Sequence, residues 1–260
     1  MPKRNRLLNL HLALTFAFLY GPIVMLVVLS FNESGLATAW TGFSLKWYAA
    51  LFSTSKFLVP TVNTLIVAGI TTVIATVIGT LLAMAVERLP PSARIDTVLF
   101  VPMVIPDIVL AIALLSFFTA LRLTLGLHSI IIAHVVFCIA FVCAVVRTRL
   151  NSFDRSLIEA SIDLGATRWR TFWRVTLPVI APGVIAGALL SFTLSFDEFV
   201  IAFFTAGSSG SSRTLPMEIY SMVRFGVTPD INALATIIIG VIFFLVLIAQ
   251  RFNRETASSP

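Results

Sequence analysis

An all-α integral membrane fold with six transmembrane helices is what this sequence predicts, and three observations lead to it. Of 260 residues, 58% are hydrophobic and only 12% charged, with a mean hydropathy of +1.00; soluble domains run at roughly 45 to 50% apolar and about 25% charged, so this chain lacks the polar surface to cover a water-soluble globule. The apolar residues gather in runs from Leu7 to Leu29, Asn63 to Val86, Val98 to Leu121, Ser129 to Val146, Val179 to Phe204 and Ala233 to Ala249. Each has the length of a bilayer span, about 17 to 25 residues, and is apolar all round, as a lipid-embedded helix must be. The basic residues, finally, are unevenly divided among the loops.

That division sets the topology. With the N-terminus inside, the inner loops hold 13 of the 18 Lys and Arg residues, among them Lys3, Arg4, Arg6, Arg88, Arg94, Arg147 and Arg155, and the outer loops hold the remaining 5. An excess of basic residues marks the cytoplasmic side, so both termini are expected in the cytoplasm. The net charge of +6 is therefore a topology signal. Its carriers flank spans instead of forming one basic face, which argues against a nucleic-acid partner.

The first run follows Lys3, Arg4 and Arg6, and Ala37-Thr38-Ala39 superficially resembles a signal-peptidase site. The run is much longer than the ~7 to 15 residues of a signal-peptide core, which indicates an uncleaved anchor. The second carries Gly69, Thr72, Thr76 and Gly79 on one side, small enough for a neighbouring helix of the same or of another subunit to approach closely. The third contains Pro102 and Pro106, four apart, which predict a kink and carbonyls without intrahelical donors. Asp107 follows, nine residues or about 14 Å from Val98 along a straight helix, close to the middle of a roughly 30 Å core. A carboxylate at that depth requires a cavity or a partner. With free carbonyls beside it, Asp107 suits a cationic ammonium substrate; pairing with a neighbouring helix for assembly is the other reading.

Cys138 and Cys143 in the fourth run read as small, polarizable packing residues, and His134 as hydrogen-bonded to an adjacent helix. In the fifth run Gly183, Gly187, Ser191 and Ser195 recur every four residues as a contact stripe. Asp197 and Glu198 lie about 28 Å beyond Val179 along an untilted helix, toward the outer mouth. They point about 100° apart, so only one faces a given pore line squarely. The outer segment that follows opens with Gly207-Ser208-Ser209-Gly210-Ser211-Ser212, a flexible-linker composition. Leu215 to Phe225 then form a short helix carrying Glu218 and Tyr220. This loop and Asn32 to Pro60 either receive a solute-binding protein or are plain surface.

Between the fourth and fifth runs, 147–178 is the longest inner loop and the one with a helical pattern of its own. Ser156-x-x-Glu159 reads as a capping box at a helix start. Leu157, Ile158, Ile162 and Leu164 give that helix an apolar surface, and Gly165 sits where a C-terminal cap favours a left-handed residue. Beyond it Trp169, Phe172 and Trp173, with Arg170 and Arg174, form the pattern of an amphipathic helix at the membrane interface, ended by Leu177-Pro178. On pattern alone this is either an ordinary interfacial hairpin or a short rigid helix presented to a cytosolic partner.

Glu159-Ala160-Ser161, three residues, Gly165, nine residues, then Val175-Thr176-Leu177-Pro178 resembles the EAA motif of bacterial ABC-importer permeases (Glu-Ala-Ala, three residues, Gly, nine residues, Ile-x-Leu-Pro). Ser161 replaces the second alanine and Val175 the isoleucine, with the spacing intact. The chain is identified on these residues as similar to the MetI-like type I permeases. Three further stretches, Pro106-Asp107-Ile108-Val109-Leu110, Ser195-Phe196-Asp197-Glu198-Phe199 and Leu215 to Ser221, resemble the spermidine/putrescine branch and its second permease subunit. The resemblance implies a single permease domain over 1–260 in a bacterial inner membrane. Its coupling residues would be Ser156, Glu159, Ala160, Ser161, Asp163, Leu164 and Gly165, and its pathway acids Asp107, Asp197 and Glu198. It also implies two copies of a separate ABC ATPase, a second permease subunit, an extracytoplasmic solute-binding protein and surrounding lipid. No enzyme activity and no bound cofactor or metal are expected, ATP and Mg being used by the partner ATPase. The sequence agrees that the ATPase is separate: Lys3, Lys46 and Lys56 follow Pro2, Leu45 and Ser55, so no Gly-Lys-Ser/Thr phosphate loop exists. A self-sufficient secondary transporter or channel is the rival, but no internal repeat is evident and it does not account for the EAA spacing. An ABC permease for another solute shares parts of the branch motifs. A membrane scaffold leaves Asp107 without a purpose.

Overall fold

The computed structural model describes residues 6–35, 40–53, 55–90, 92–154, 156–226 and 228–257, with side chains in the last helix to Phe244. Lys3, Arg4, the Ala37-Thr38-Ala39 stretch and Arg155 lie outside the described residues. The described chain is helical throughout, apart from turns and one isolated antiparallel bridge between Asn32 and Phe43. Helices α1 (Arg6–Leu29), α3 (Ser55–Val86), α6 (Leu127–Asn151) and α9 (Leu177–Asp197, entered directly from 168–176) are long and apolar enough to cross a bilayer. A fifth crossing is formed by α4 (Ala93–Val104) and α5 (Asp107–Ala120) when that bent pair is taken as one span. The sixth expected run falls in α12 (Pro229–Ala257), whose apolar part is described over Pro229–Phe244.

The expected third span is not one kinked helix. It breaks between α4 and α5, whose axes differ by 100°. Pro102 is accommodated inside α4; the break falls at Ile105, held extended (φ −63°, ψ 131°) because it precedes Pro106. Pro106 contributes no N–H, and its carbonyl instead starts α5 by accepting from the N–H of Val109 and of Leu110. The fifth run is likewise divided. Helix α9 ends at Asp197, Glu198 is extended (φ −68°, ψ 120°), and α10 (Val200–Thr205) follows.

Two compact units make up the chain, Met1–Leu58 with Glu218–Pro260, and Val59–Met217. In the first, α12 packs against α1 and α2 (Lys46–Ser53). The fully buried Asn32 organises the segment after α1: its Oδ1 accepts from the Thr41 N–H at 2.9 Å, and its carbonyl accepts from the Trp47 indole at 2.8 Å. The short helix expected over 215–225 is present as α11 (Leu215–Phe225).

In the second unit α6 is the central helix. Its partner α9 turns Ile180, Gly183, Gly187, Ser191 and Ser195 inward, so the small-residue stripe is an internal contact. The two helices run antiparallel in a regular register. A Cβ on Gly183 would lie 2.7 Å from Arg149 Cβ, and one on Gly187 would lie 3.3 Å from Val142 Cγ1. Further along, Cys138 Sγ is 3.7 Å from the Ser191 carbonyl and His134 Nδ1 is hydrogen-bonded to Ser195 Oγ at 2.8 Å. Cys138 and Cys143 are buried free thiols that fill this interface.

Helix α3 also packs small residues inward within the subunit, chiefly on the face beside Gly69, Thr72, Thr76 and Gly79. Thr64, Ala68, Thr71, Ala75, Gly79 and Ala83 are buried, whereas Gly69, Thr72 and Thr76 are only half-buried. Of the expected side, Gly79 is the fully buried member, against Val142 and the carbonyl of Ile139. Alanine allows nearly as close an approach as glycine, and the pattern did not separate the two adjacent faces.

The glycine- and serine-rich stretch 207–212 is ordered, contrary to its composition. Gly207 has φ +74° and lies so close to Leu125 that a Cβ would be 2.8 Å from Leu125 Cβ. Gly210–Ser212 form a 3-10 turn. Asn63 on α3 donates to the carbonyls of Ser211 (2.7 Å) and Arg213 (2.8 Å), and Thr64 Oγ1 accepts from the Leu215 N–H at 2.7 Å. Buried partners thus order a segment that would be flexible on its own.

Candidate functional site

Unit 2 gathers its basic residues at one end. Arg88, Arg94, Arg147, Arg149, Arg168, Arg170 and Arg174 accompany the ends of α3, α6 and α9 that meet the 147–178 loop, while Arg122 and Arg213 belong to the opposite end. The first of these is called the loop end below.

At the loop end α7 (Ser156–Asp163) has no fully buried residue. The expected Ser156–Glu159 capping box places Ser156 just before the helix, whereas α7 already includes Ser156. Asp154 accepts the Ser156 N–H on Oδ1 at 3.0 Å and the Leu157 N–H on its carbonyl at 3.3 Å, which leaves Ser156 as the first helical residue. Aspartate does this as well as serine, and the carboxylate also opposes the positive end of the helix. The N–H of Ser156 holds the exposed Asp154 carboxyl below its ordinary value of 3.8. A depressed value means the contribution to α7 is present above the unfolded value and lost as pH falls through the folded one. Acidification below about pH 4 is accordingly expected to unfasten the start of α7. Amide exchange at Ser156 and Leu157 measured from pH 6 to 3 reads this, with D154A equally exposed at both ends of the range.

Gly165 ends α7 as expected. It has φ +82°, its N–H bonds to the Ile162 carbonyl at 2.8 Å, and the Ala166 N–H reaches back to Ser161 at 3.1 Å. This is the paired pattern of a Schellman cap, which needs a left-handed residue at this position. The chain then turns into α8 (Arg168–Thr171), capped by Thr167 Oγ1, and a π turn over Phe172–Thr176 that runs into α9. Ser161, the departure from the motif alanine, bonds across the turn to Thr171 Oγ1 at 3.0 Å and so ties α7 to α8. Leu157, Leu164, Trp169 and Trp173 stay exposed, while Phe172 turns inward. Behind α7 lies a cleft of about 420 Å³ that includes Glu159, Ile158, Ile162, Arg168, Glu87 and Arg88. Ala160, Asp163 and Leu164 lie outside it, all exposed.

Within the membrane part, Asp107 is the first residue of α5, exposed, at the vertex of the 100° break. Its depth therefore cannot be counted along a straight helix from Val98. Asp197 and Glu198 are separated as expected, but by the break after α9 rather than by helical rotation alone. Asp197 is exposed. Glu198 has a side chain only 7% exposed. Its Oε1 accepts from the Ile201 N–H at 2.9 Å and its Oε2 from the Ala202 N–H at 3.0 Å, which caps α10. His134 Nε2 is 3.4 Å from the same Oε2. The other end of α10 is tied to α6 by Ser129 Oγ, which donates to the Thr205 carbonyl at 2.7 Å. His134 is seven residues into α6, so Glu198 lies beside that helix about 10 Å along from its Leu127 end. The loop-end ion pair of Arg147 with Asp96, at 2.7 Å, was not anticipated. The two residues are 51 apart in sequence, and nothing local signals their meeting.

Apolar helices long enough to cross a bilayer, with two broken runs that carry acids and an exposed short helix at the loop end, are the features of a multi-pass membrane protein. The chain belongs to the binding-protein-dependent transport system inner membrane component family, which matches residues 75–255. It is 40% identical over 242 residues to the spermidine/putrescine transport system permease protein PotC of Escherichia coli K12, covering 92% of this chain and 91% of that one. It is 38% identical to PotC of Haemophilus influenzae (95% and 96% covered) and 41% identical to the putrescine transport system permease protein PotI of E. coli K12 (92% and 87%). Among solved structures, a bacterial ABC transporter that imports alginate shares the fold, with a TM-score of 0.76 at 19% identity over 97% of this chain and 96% of that one. The methionine transporter MetNI gives 0.60 at 20% identity over 76% and 95%.

Proposed function

We propose that this chain is the transmembrane permease subunit of an ATP-driven importer for a small cationic solute, a polyamine of the putrescine or spermidine type. The observation that carries the reading is identity of 38% to 41% with polyamine permeases over at least 92% of the chain. The whole chain acts as one permease domain with six spans and both termini in the cytoplasm, and α7 with its Gly165 elbow seats on a separate ATPase. Two ATPase copies using ATP and Mg, a second permease and a solute-binding protein complete the machine. No cofactor is held by this chain. Asp107 and Asp197 meet the cation along the path, and Glu198 fixes the joint beside Asp197. Two breaks next to exposed carboxylates suit such a path, because a carboxylate is tolerated in a span only where it faces a cavity or a partner.

Reconstituted with its ATPase, sister permease and binding protein, the chain should take up labelled putrescine or spermidine on ATP addition. Replacing Glu159 or Gly165 with alanine should break the link between hydrolysis and uptake while insertion is unchanged, and D107N should lower cation uptake by about tenfold, as expected for loss of one charge-assisted contact. Unaltered uptake and ATPase association in both loop variants sinks the docking role of α7. Unaltered kinetics in D107N removes that residue from the path.

A further inference from the structure

The ion pairs of Arg147 join the loop end to the broken span. Arg147 lies in the last turns of α6, with its side chain 20% exposed. One guanidinium nitrogen donates to Asp96 Oδ1 on α4 at 2.7 Å, and the guanidinium carbon lies 5.9 Å from the centre of the Phe100 ring on the same helix. Its Nε is buried with no hydrogen-bond acceptor in range. Oε2 of Glu87, just beyond the end of α3, lies 3.9 Å from it. That distance is an ion pair but not a hydrogen bond; closing it by about 1 Å would make one.

The surroundings give this arrangement room and a direction. A cavity of about 210 Å³ adjoins the pair, bounded by Glu87, Ser92, Asp96, Arg147 and Asn151. Glu87 also lines the cleft behind α7, together with Glu159 and Arg168. Asp96 lies on α4, whose far end is the Pro106 break that carries Asp107. One guanidinium therefore stands between a carboxylate that borders the EAA loop and a carboxylate on the half-helix leading to the membrane break. A buried donor left without an acceptor is unfavourable, so a small shift of the α3 end toward α6 that brought Glu87 within hydrogen-bond range of Nε would be stabilised.

We propose that Arg147 is a positioning residue that exchanges Asp96 for Glu87 when α7 is displaced, and thereby transmits the movement to α4 and the Asp107 break. This rests on the reading of the chain as an ATP-driven permease.

The two carboxylates then pull the same equilibrium in opposite directions, which a static salt bridge does not do. In proteoliposomes holding the complete transporter, D96N favours the Glu87-paired arrangement and E87Q the Asp96-paired one. Hydrolysis of ATP without binding protein should move in opposite directions in the two variants, each by about fivefold or more, the lower range of allosteric couplings. Uptake of labelled spermidine per ATP should fall in both and in R147Q, with R147K intermediate because lysine lacks the planar fork. Shifts of the same sign, or no shift in either, overturn the exchange; a common drop in thermal midpoint with unchanged hydrolysis identifies a purely structural pair and also overturns it. Should R147Q fail to assemble, the D96N and E87Q signs still decide. A wild-type assembly that hydrolyses ATP but imports neither polyamine refutes the solute assignment and leaves the sign test intact. One that hydrolyses no ATP refutes both.

Discussion

E198A is expected to destabilise the 59–217 unit by about 3 kcal/mol, because hydrogen bonds to a buried charge contribute about 1.5 to 3 kcal/mol and each orphaned buried donor costs about 1 to 3 more. The carboxylate serves two donors at once, the N–H groups of Ile201 and Ala202, and has His134 Nε2 3.4 Å from its Oε2. None can turn to water, since His134 is 1% exposed and Ile201 and Ala202 are fully buried. Glutamine at 198 keeps one acceptor oxygen and should lose roughly half as much. Amide exchange at Ile201 and Ala202 locates the effect, and a denaturation series in detergent gives its size. Protection at both amides equal to wild type shows that α10 does not need its cap.

G79A and G69A should differ sharply although both glycines lie in the same helix. A Cβ at Gly79 would be 2.8 Å from both Cβ and Cγ1 of Val142 and 3.1 Å from the Ile139 carbonyl, and none of these is the free end of a flexible side chain. Such overpacking costs about 1 to 3 kcal/mol. At Gly69 nothing lies within 4 Å. Alanine there should be neutral or stabilising by up to about 1 kcal/mol, through its better helix propensity. Thermal midpoints of the two variants in one detergent decide it; equal midpoints mean that α3 and α6 are not in the contact described.

The contrast between those glycines indicates where sequence reading stops. The stripe Gly183, Gly187, Ser191, Ser195 was legible because no competing small-residue face exists on α9, and the structure buries it whole. On α3 the small residues occupy two adjoining faces, and only the shape of α6 selects between them. The capping of α7 follows the same logic. Gly165 was legible because a left-handed turn demands glycine locally, whereas the bond from the Ser156 N–H to Asp154 Oδ1 was not singled out, because Asp154 and Ser156 are both residue types that favour helix starts. His134 was foreseen as hydrogen-bonded, but its partners lie 61 and 64 residues away, beyond any local pattern.

By itself the sequence determined that this is an all-helical membrane protein, where its apolar runs lie, and that the 147–178 segment holds a capped helix and a glycine turn. These follow from hydropathy and backbone chemistry, which act over a few neighbouring residues. Only the tertiary structure decided that the third and fifth runs are broken. It also decided that Asp107 occupies the vertex of one break, that Glu198 is consumed in capping α10, and that Arg147 stands between Asp96 and Glu87. Burial of a charge is tolerated only where distant donors or counter-charges converge on it, and that convergence is a property of the packed chain.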